Sequence, residues 1–142
     1  MKYATNEWEP LKKVIVGSAT GARVPNLDDS VRYVNYADVK DISTIEHGPY
    51  PKIVIDEANE DLDTFAKFLI GEGIEVVRPQ PVSPVHYYDY CPRDIVFVHG
   101  ENAIATPMPI HAREFNYSNI RHAFGDEFFV APRHRGVDKF DK

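Results

Sequence analysis

A helical period, a turn, a short apolar strand and a proline occur in that order twice along the chain, ending at Pro79 and at Pro132. In the first pass Ala58, Leu62, Phe65, Ala66 and Leu69 recur at helical spacing, and Gly71 and Gly73 supply the stop. Asp56 is placed to cap this helix, and Asp63 to pair with Lys67 one turn on. The strand is 74–78. In the second pass Ala112, Phe115, Tyr117, Ile120, Ala123 and Phe124 predict a looser helix before a strand at 127–131. An apolar strand closed by a small residue precedes each helix: Val14-Ile15-Val16-Gly17, and Val96-Phe97-Val98-His99-Gly100. The second copy continues through Ala103-Ile104-Ala105, so residues 94–106 read as a hairpin. The second strand of the first copy is not visible in the sequence. The whole is an α/β pattern of two strand, strand, helix, strand units, whose apolar faces need neighbours.

Between the first strand and the first helix, residues 18–51 show turn residues, aromatics and scattered charge with little periodicity. A loop of that length more often carries function than not, a cover over a site being one candidate role, and Tyr33, Tyr36 and Tyr50 can pin it by packing. The tail 133–142 is charged and reads as frayed.

The chemistry concentrates in Tyr90-Cys91-Pro92-Arg93-Asp94, at the mouth of the apolar run Ile95-Val96-Phe97-Val98. A carboxylate against apolar surface needs a partner, and Asp94 has Arg93, Arg78, Arg113, a turn or a bound cation to choose from. Its functional reading is a two-bond grip on a guanidinium. Cys91 is a nucleophile only if a base stands nearby, with His86, His99 and His111 as candidates; a lone cysteine is more often packed. The six histidines match no zinc spacing and no second cysteine supports one, so no metal or cofactor is expected. Residues 17–21 lack the spacing and lysine of a phosphate loop. Arg23, Arg113 and Arg121 are ordinary surface arginines that can also bind anions. A net charge of −6 and a pI near 5.4 argue against nucleic-acid or anionic-membrane partners. One cysteine excludes an intramolecular disulfide and suits a reducing, cytoplasmic setting; no apolar run spans a membrane, and the N-terminus lacks a signal-peptide core.

The chain also resembles the glycine/inosamine-phosphate amidinotransferase family. The likeness lies in Asn6-Glu7-Trp8-Glu9-Pro10-Leu11, Val14-Ile15-Val16-Gly17, Ala22-Arg23-Val24-Pro25, Val77-Arg78-Pro79 and Pro92-Arg93-Asp94, then Ala105-Thr106-Pro107-Met108, Arg113, Phe115, Tyr117, Arg121 and Ala131-Pro132. It implies a pentein fold, an α/β propeller of ββαβ modules about a pseudo-fivefold axis. Residues 1–142 would be its N-terminal part, with about two of the five modules: module 1 at about 1–80, module 2 at about 90–132, tail 133–142. The implied reaction is ping-pong amidino transfer from arginine to an amine acceptor through an amidino-cysteine. Asp94 would hold the substrate guanidinium, with Arg93 supporting it and Met108 and Arg113 shaping the adjacent wall. Cys91 does not match the family nucleophile, and the family cysteine, histidine and aspartate are expected beyond Lys142. His111 and Asn116 stand where relatives often carry arginine and glutamate. The isolated chain is therefore expected to be inactive alone. It would depend on the missing modules, a companion chain or a homo-oligomer. An arginine deiminase-like hydrolase part, or a non-catalytic guanidino-binding module, are the alternatives.

Overall fold

The computed structural model describes residues 4–6, 8–82 and 86–131. The expected stop at Pro132, the tail, Glu7 and Pro84 lie outside them. The first half forms β1 (Lys13–Ile15), β2 (Arg23–Val24), α1 (Asp29–Asn35), β3 (Gly48–Pro49), α2 (Lys52–Gly71) and β4 (Glu75–Val77). The second half forms β5 (Val96–His99), β6 (Asn102–Ala105) and β7 (Phe128–Val130). β1 pairs in parallel with β4, Val14 opposite Val76. Parallel neighbours need a crossover, and α2 supplies it. β5 and β6 form the expected antiparallel hairpin, turned at Gly100 with φ +60°, and β7 joins β6 in parallel.

This pairing corrects the correspondence between the two units. The sequence equates β1 with β5. The parallel, crossover-linked pair in the second unit is β6–β7, so β1 corresponds to β6. The strand without a counterpart is therefore the first of unit one, on the free edge of β1 among the described residues.

α2 begins at Lys52, behind Pro51, and not at Asp56. Pro51 as N-cap makes no side-chain cap bond, and Asp56 pairs instead with Lys52 along the exposed face. The β-branched run Ile53-Val54-Ile55 hides this first turn from a propensity reading. Asp63 reaches Arg78 at 2.8 Å across to the end of β4, not Lys67. Phe65 is 51% exposed; Leu62, Ala66 and Leu69 pack on Val14, Val16 and Val76. Gly73, at φ +79°, takes the left-handed position after the helix, with its N–H on the Ile70 carbonyl.

The stretch 18–51 is more ordered than expected. α1 is capped by Asp28, whose side chain accepts from the Val31 N–H. β2 and β3 pair two residues each, Arg23 opposite Pro49.

The predicted second helix is absent. Residues 111–123 wind instead as three 3-10 turns, His111–Arg113, Asn116–Asn119 and Arg121–Ala123, with bonds spanning three residues throughout. The reason is the buried polar pair Asn116 and Asn119, which eclipse each other at three residues per turn and so aim at one target. That target is the buried carboxylate of Asp89.

The units meet through β1. Val14 and Val16 face the α2 cluster, while Ile15, on the opposite side, packs on Ile95, Met108 and Ile120. Just beyond, a Cβ on Gly17 would sit 2.5 Å from the Tyr90 carbonyl oxygen. Gly17→Ala is expected to cost about 1–3 kcal/mol, since the obstacle is backbone. Urea unfolding reads this directly, and a change below about 0.5 kcal/mol would show that the contact yields freely.

Candidate functional site

The segment carrying the candidate carboxylate is anchored at Asp89, which is 6% exposed. Asn116 Nδ2 donates to its Oδ1 at 2.9 Å, and Asn119 Nδ2 to both oxygens at 3.1 and 3.0 Å. Burial pushes the Asp89 carboxyl above the ordinary carboxylate range, against the pull of these amides and of His86. Its backbone carbonyl accepts from the Ser18 N–H at 3.0 Å, tying the loop after β1 to the same point.

From there the chain turns through Tyr88 and Cys91, the Cys91 N–H bonding to the Tyr88 carbonyl at 3.0 Å, and enters the 3-10 turn Pro92–Asp94. Pro92 takes the first position, where a missing N–H costs nothing. Thr106 Oγ1 donates to the Asp94 carbonyl at 3.0 Å, fixing the turn to the end of β6. Asp94 Oδ2 accepts from Arg113 Nη1 at 3.0 Å, while Oδ1 lies 3.5 Å from Arg93 Nε.

The two arginines differ in kind. The Arg113 side chain is buried, donates Nη2 to the Cys91 carbonyl at 2.9 Å, and lies over the Tyr88 ring at 5.3 Å. Arg93 is 87% exposed and, among the described residues, makes the looser contact alone. The structure thus brings Asp94, Arg93 and Arg113 together. Met108 stands apart from the charges, buried against Ile95 and Ile120, and joins Thr106, Glu114, Phe115, Tyr117 and Val130 around a cavity of about 210 Å³. Asp94 is not in that wall.

Cys91 is half-buried, with its thiol 3.5 Å from the Tyr88 carbonyl. Burial pushes the thiol up, and the neighbouring carboxylates Asp94 and Asp89 add to this against Arg113 and Arg93. A thiol held in its protonated form is a poor nucleophile. His111 Nδ1 lies 3.2 Å from Asp28 and is engaged there. Among the described residues no group of three or more His, Cys, Asp or Glu side chains is placed to hold a metal ion.

The sequence reading does not reach Tyr88, Asp89 or Asn119. The available signal is Asp89 itself, a carboxylate inside the aromatic run His86-Tyr87-Tyr88-Asp89-Tyr90.

No protein-family model matches the chain. An inosamine-phosphate amidinotransferase from Streptomyces glaucescens is 37% identical, the alignment covering 94% of this chain and 44% of that protein. The mitochondrial glycine amidinotransferase of Danio rerio is 34% identical over 83% of this chain and 31% of its own length. Among solved structures, the inosamine-phosphate amidinotransferase of Streptomyces griseus aligns with a TM-score of 0.81 at 35% identity, covering 95% of this chain and 44% of that one. The chain spans less than half the length of each of these relatives.

The raised Cys91 thiol gives a direct check. Its alkylation by iodoacetamide, followed against pH, should reach half-maximum at a higher pH than a free cysteine peptide run in parallel. A midpoint below the peptide's would mean an activated thiolate.

Proposed function

Because this chain belongs to the glycine/inosamine-phosphate amidinotransferase family, we propose that it supplies the guanidinium-binding part of an amidino-transfer site, with Asp94 holding the guanidino group of L-arginine. The observation that carries this reading is the unequal grip on Asp94. Buried Arg113 fixes Oδ2, while among the described residues Oδ1 has just the exposed and loosely placed Arg93. A carboxylate has lone pairs enough for a second guanidinium. Arg93 can swing into solvent to admit one; Arg113 cannot. Met108 lines the neighbouring cavity with Thr106, whose hydroxyl bonds to the Asp94 carbonyl.

In this reading the chain holds about two modules of a pentein ring. The cysteine thiolate that attacks the guanidino carbon, the catalytic histidine with its aspartate partner, and the acceptor amine's site come from other modules or a companion chain. Cys91, held as a thiol, takes no part. The face those partners would cover is present. Phe97 and Phe129, 59% and 53% exposed, flank Ile104 in register across β5, β6 and β7. Such an apolar row favours association with a neighbour or with a second copy.

Titration of the chain with L-arginine, followed by amide NMR, should give saturable shifts centred on Asp94 and Arg113. Asp94→Asn should weaken this binding by about tenfold or more, the loss of one charged hydrogen bond. Equal binding by the variant would refute the role of Asp94. The chain alone should release neither ornithine nor citrulline from arginine, and turnover abolished by Cys91→Ala would overturn the assignment of the nucleophile elsewhere.

A further inference from the structure

Two consecutive tyrosines each carry a guanidinium. Arg113 lies over Tyr88 at 5.3 Å and Arg23 over Tyr87 at 5.2 Å. The first cation is neutralised by Asp94. The second has no carboxylate within ion-pair distance among the described residues, and its Nε is buried without a hydrogen-bond partner among them. A partly buried guanidinium with unused donors is costly unless an anion completes it.

Arg23 lines a cavity of about 230 Å³ with Pro25, Asn26, Asp28, Tyr87 and Ala112. Asp28, a carboxylate on the same lining, lies beyond ion-pair distance of Arg23, and its oxygens are turned to other partners. One oxygen of Asp28 accepts from Ser30 Oγ at 2.6 Å and the Val31 N–H at 2.9 Å, and the other lies 3.2 Å from His111 Nδ1. Arg23 is also held in place. It sits in β2, paired to β3, and just before it the His86 ring packs on Gly21, where a Cβ would lie 2.1 Å from His86 Cδ2. His86 is next in sequence to the Tyr87 that stacks on the arginine.

We propose that the Arg23–Tyr87 cavity is a binding site for a small oxyanion, a carboxylate or phosphate group taken by the planar guanidinium fork. Tyr87 fixes the plane of that fork, and Asn26 stands on the same rim to add a polar contact. The site is separate from Asp94 and is built on a guanidinium rather than a carboxylate, so it does not rest on the transferase reading.

The test uses the full chain, ¹⁵N-labelled, with the Arg23 Nε–Hε resonance and the amides of residues 22–28 and 87 followed in two titrations at constant ionic strength. Sodium acetate reports the carboxylate source and inorganic phosphate the phosphate source. Saturable movement with one of them, at a Kd on the order of millimolar, is the expected result. Arg23→Lys keeps the charge but not the fork, and should bind about tenfold more weakly. Movement with neither anion, movement that a sodium chloride titration reproduces, or equal affinity in Arg23→Lys would each overturn the site. Arginine binding at Asp94 can succeed or fail independently of all three.

Discussion

The geometry of this chain hangs on a buried carboxylate that takes no direct part in the site it builds. Asp89 needs donors because a lone charge among aromatic side chains is expensive. Asn116 and Asn119 provide them, eclipsed on one side of the 3-10 turn 116–119 so that both reach the same carboxylate. That choice sets the preceding turn, which carries Arg113, on the same side as Asp89. It also fixes where the chain leaves Asp89 towards Cys91 and Asp94. The same residue draws in the end of β1 through the Ser18 bond, and a side chain at position 17 would break that approach. One carboxylate thus brings three separate stretches to one point.

The charge arrangement that results is asymmetric in a useful way. Arg113, packed under Tyr88 and bonded to the Cys91 carbonyl, belongs to the scaffold and orients Asp94. Arg93 belongs to solvent and makes an exchangeable contact. A ligand guanidinium entering here would meet an oriented acceptor and displace only the weaker of two cations. Burial pushes the Cys91 thiol up, and Asp94 and Asp89 add to this against the opposing pull of Arg113 and Arg93.

Much of this was legible in the sequence, and the rest failed for identifiable reasons. Apolar runs with β-branched residues marked β1, β4 and the β5–β6 hairpin, and the helical period marked the body of α2. The start of α2 was hidden because Ile53, Val54 and Ile55 look like a strand until Pro51 is taken as a helix start. The region 111–124 has aromatic and aliphatic residues at nearly helical spacing, and nothing local says that two asparagines will turn inward to a carboxylate far back in the chain. α1 is only seven residues long and has too few turns for periodicity to show, though Asp28 is a good cap. The charged partners of Asp94 were open among three arginines; the fold uses Arg93 and Arg113 and sends Arg78 to Asp63.

The parallel pairing of β1 with β4 sets an order of events as the chain is made. Lys13 meets Glu75 in the sheet, so β1 has no strand partner among the described residues until β4 has been synthesised. At ribosomal rates of about 5–20 residues per second, that leaves an apolar strand waiting for several seconds or longer. During that interval Val14, Ile15 and Val16 have neither sheet nor α2 to cover them. The first unit therefore closes late, around a long loop, while the second can start locally from the β5–β6 hairpin, only two residues across at its turn. In a nascent chain the later-made hairpin can form as fast as the earlier strand finds its mate.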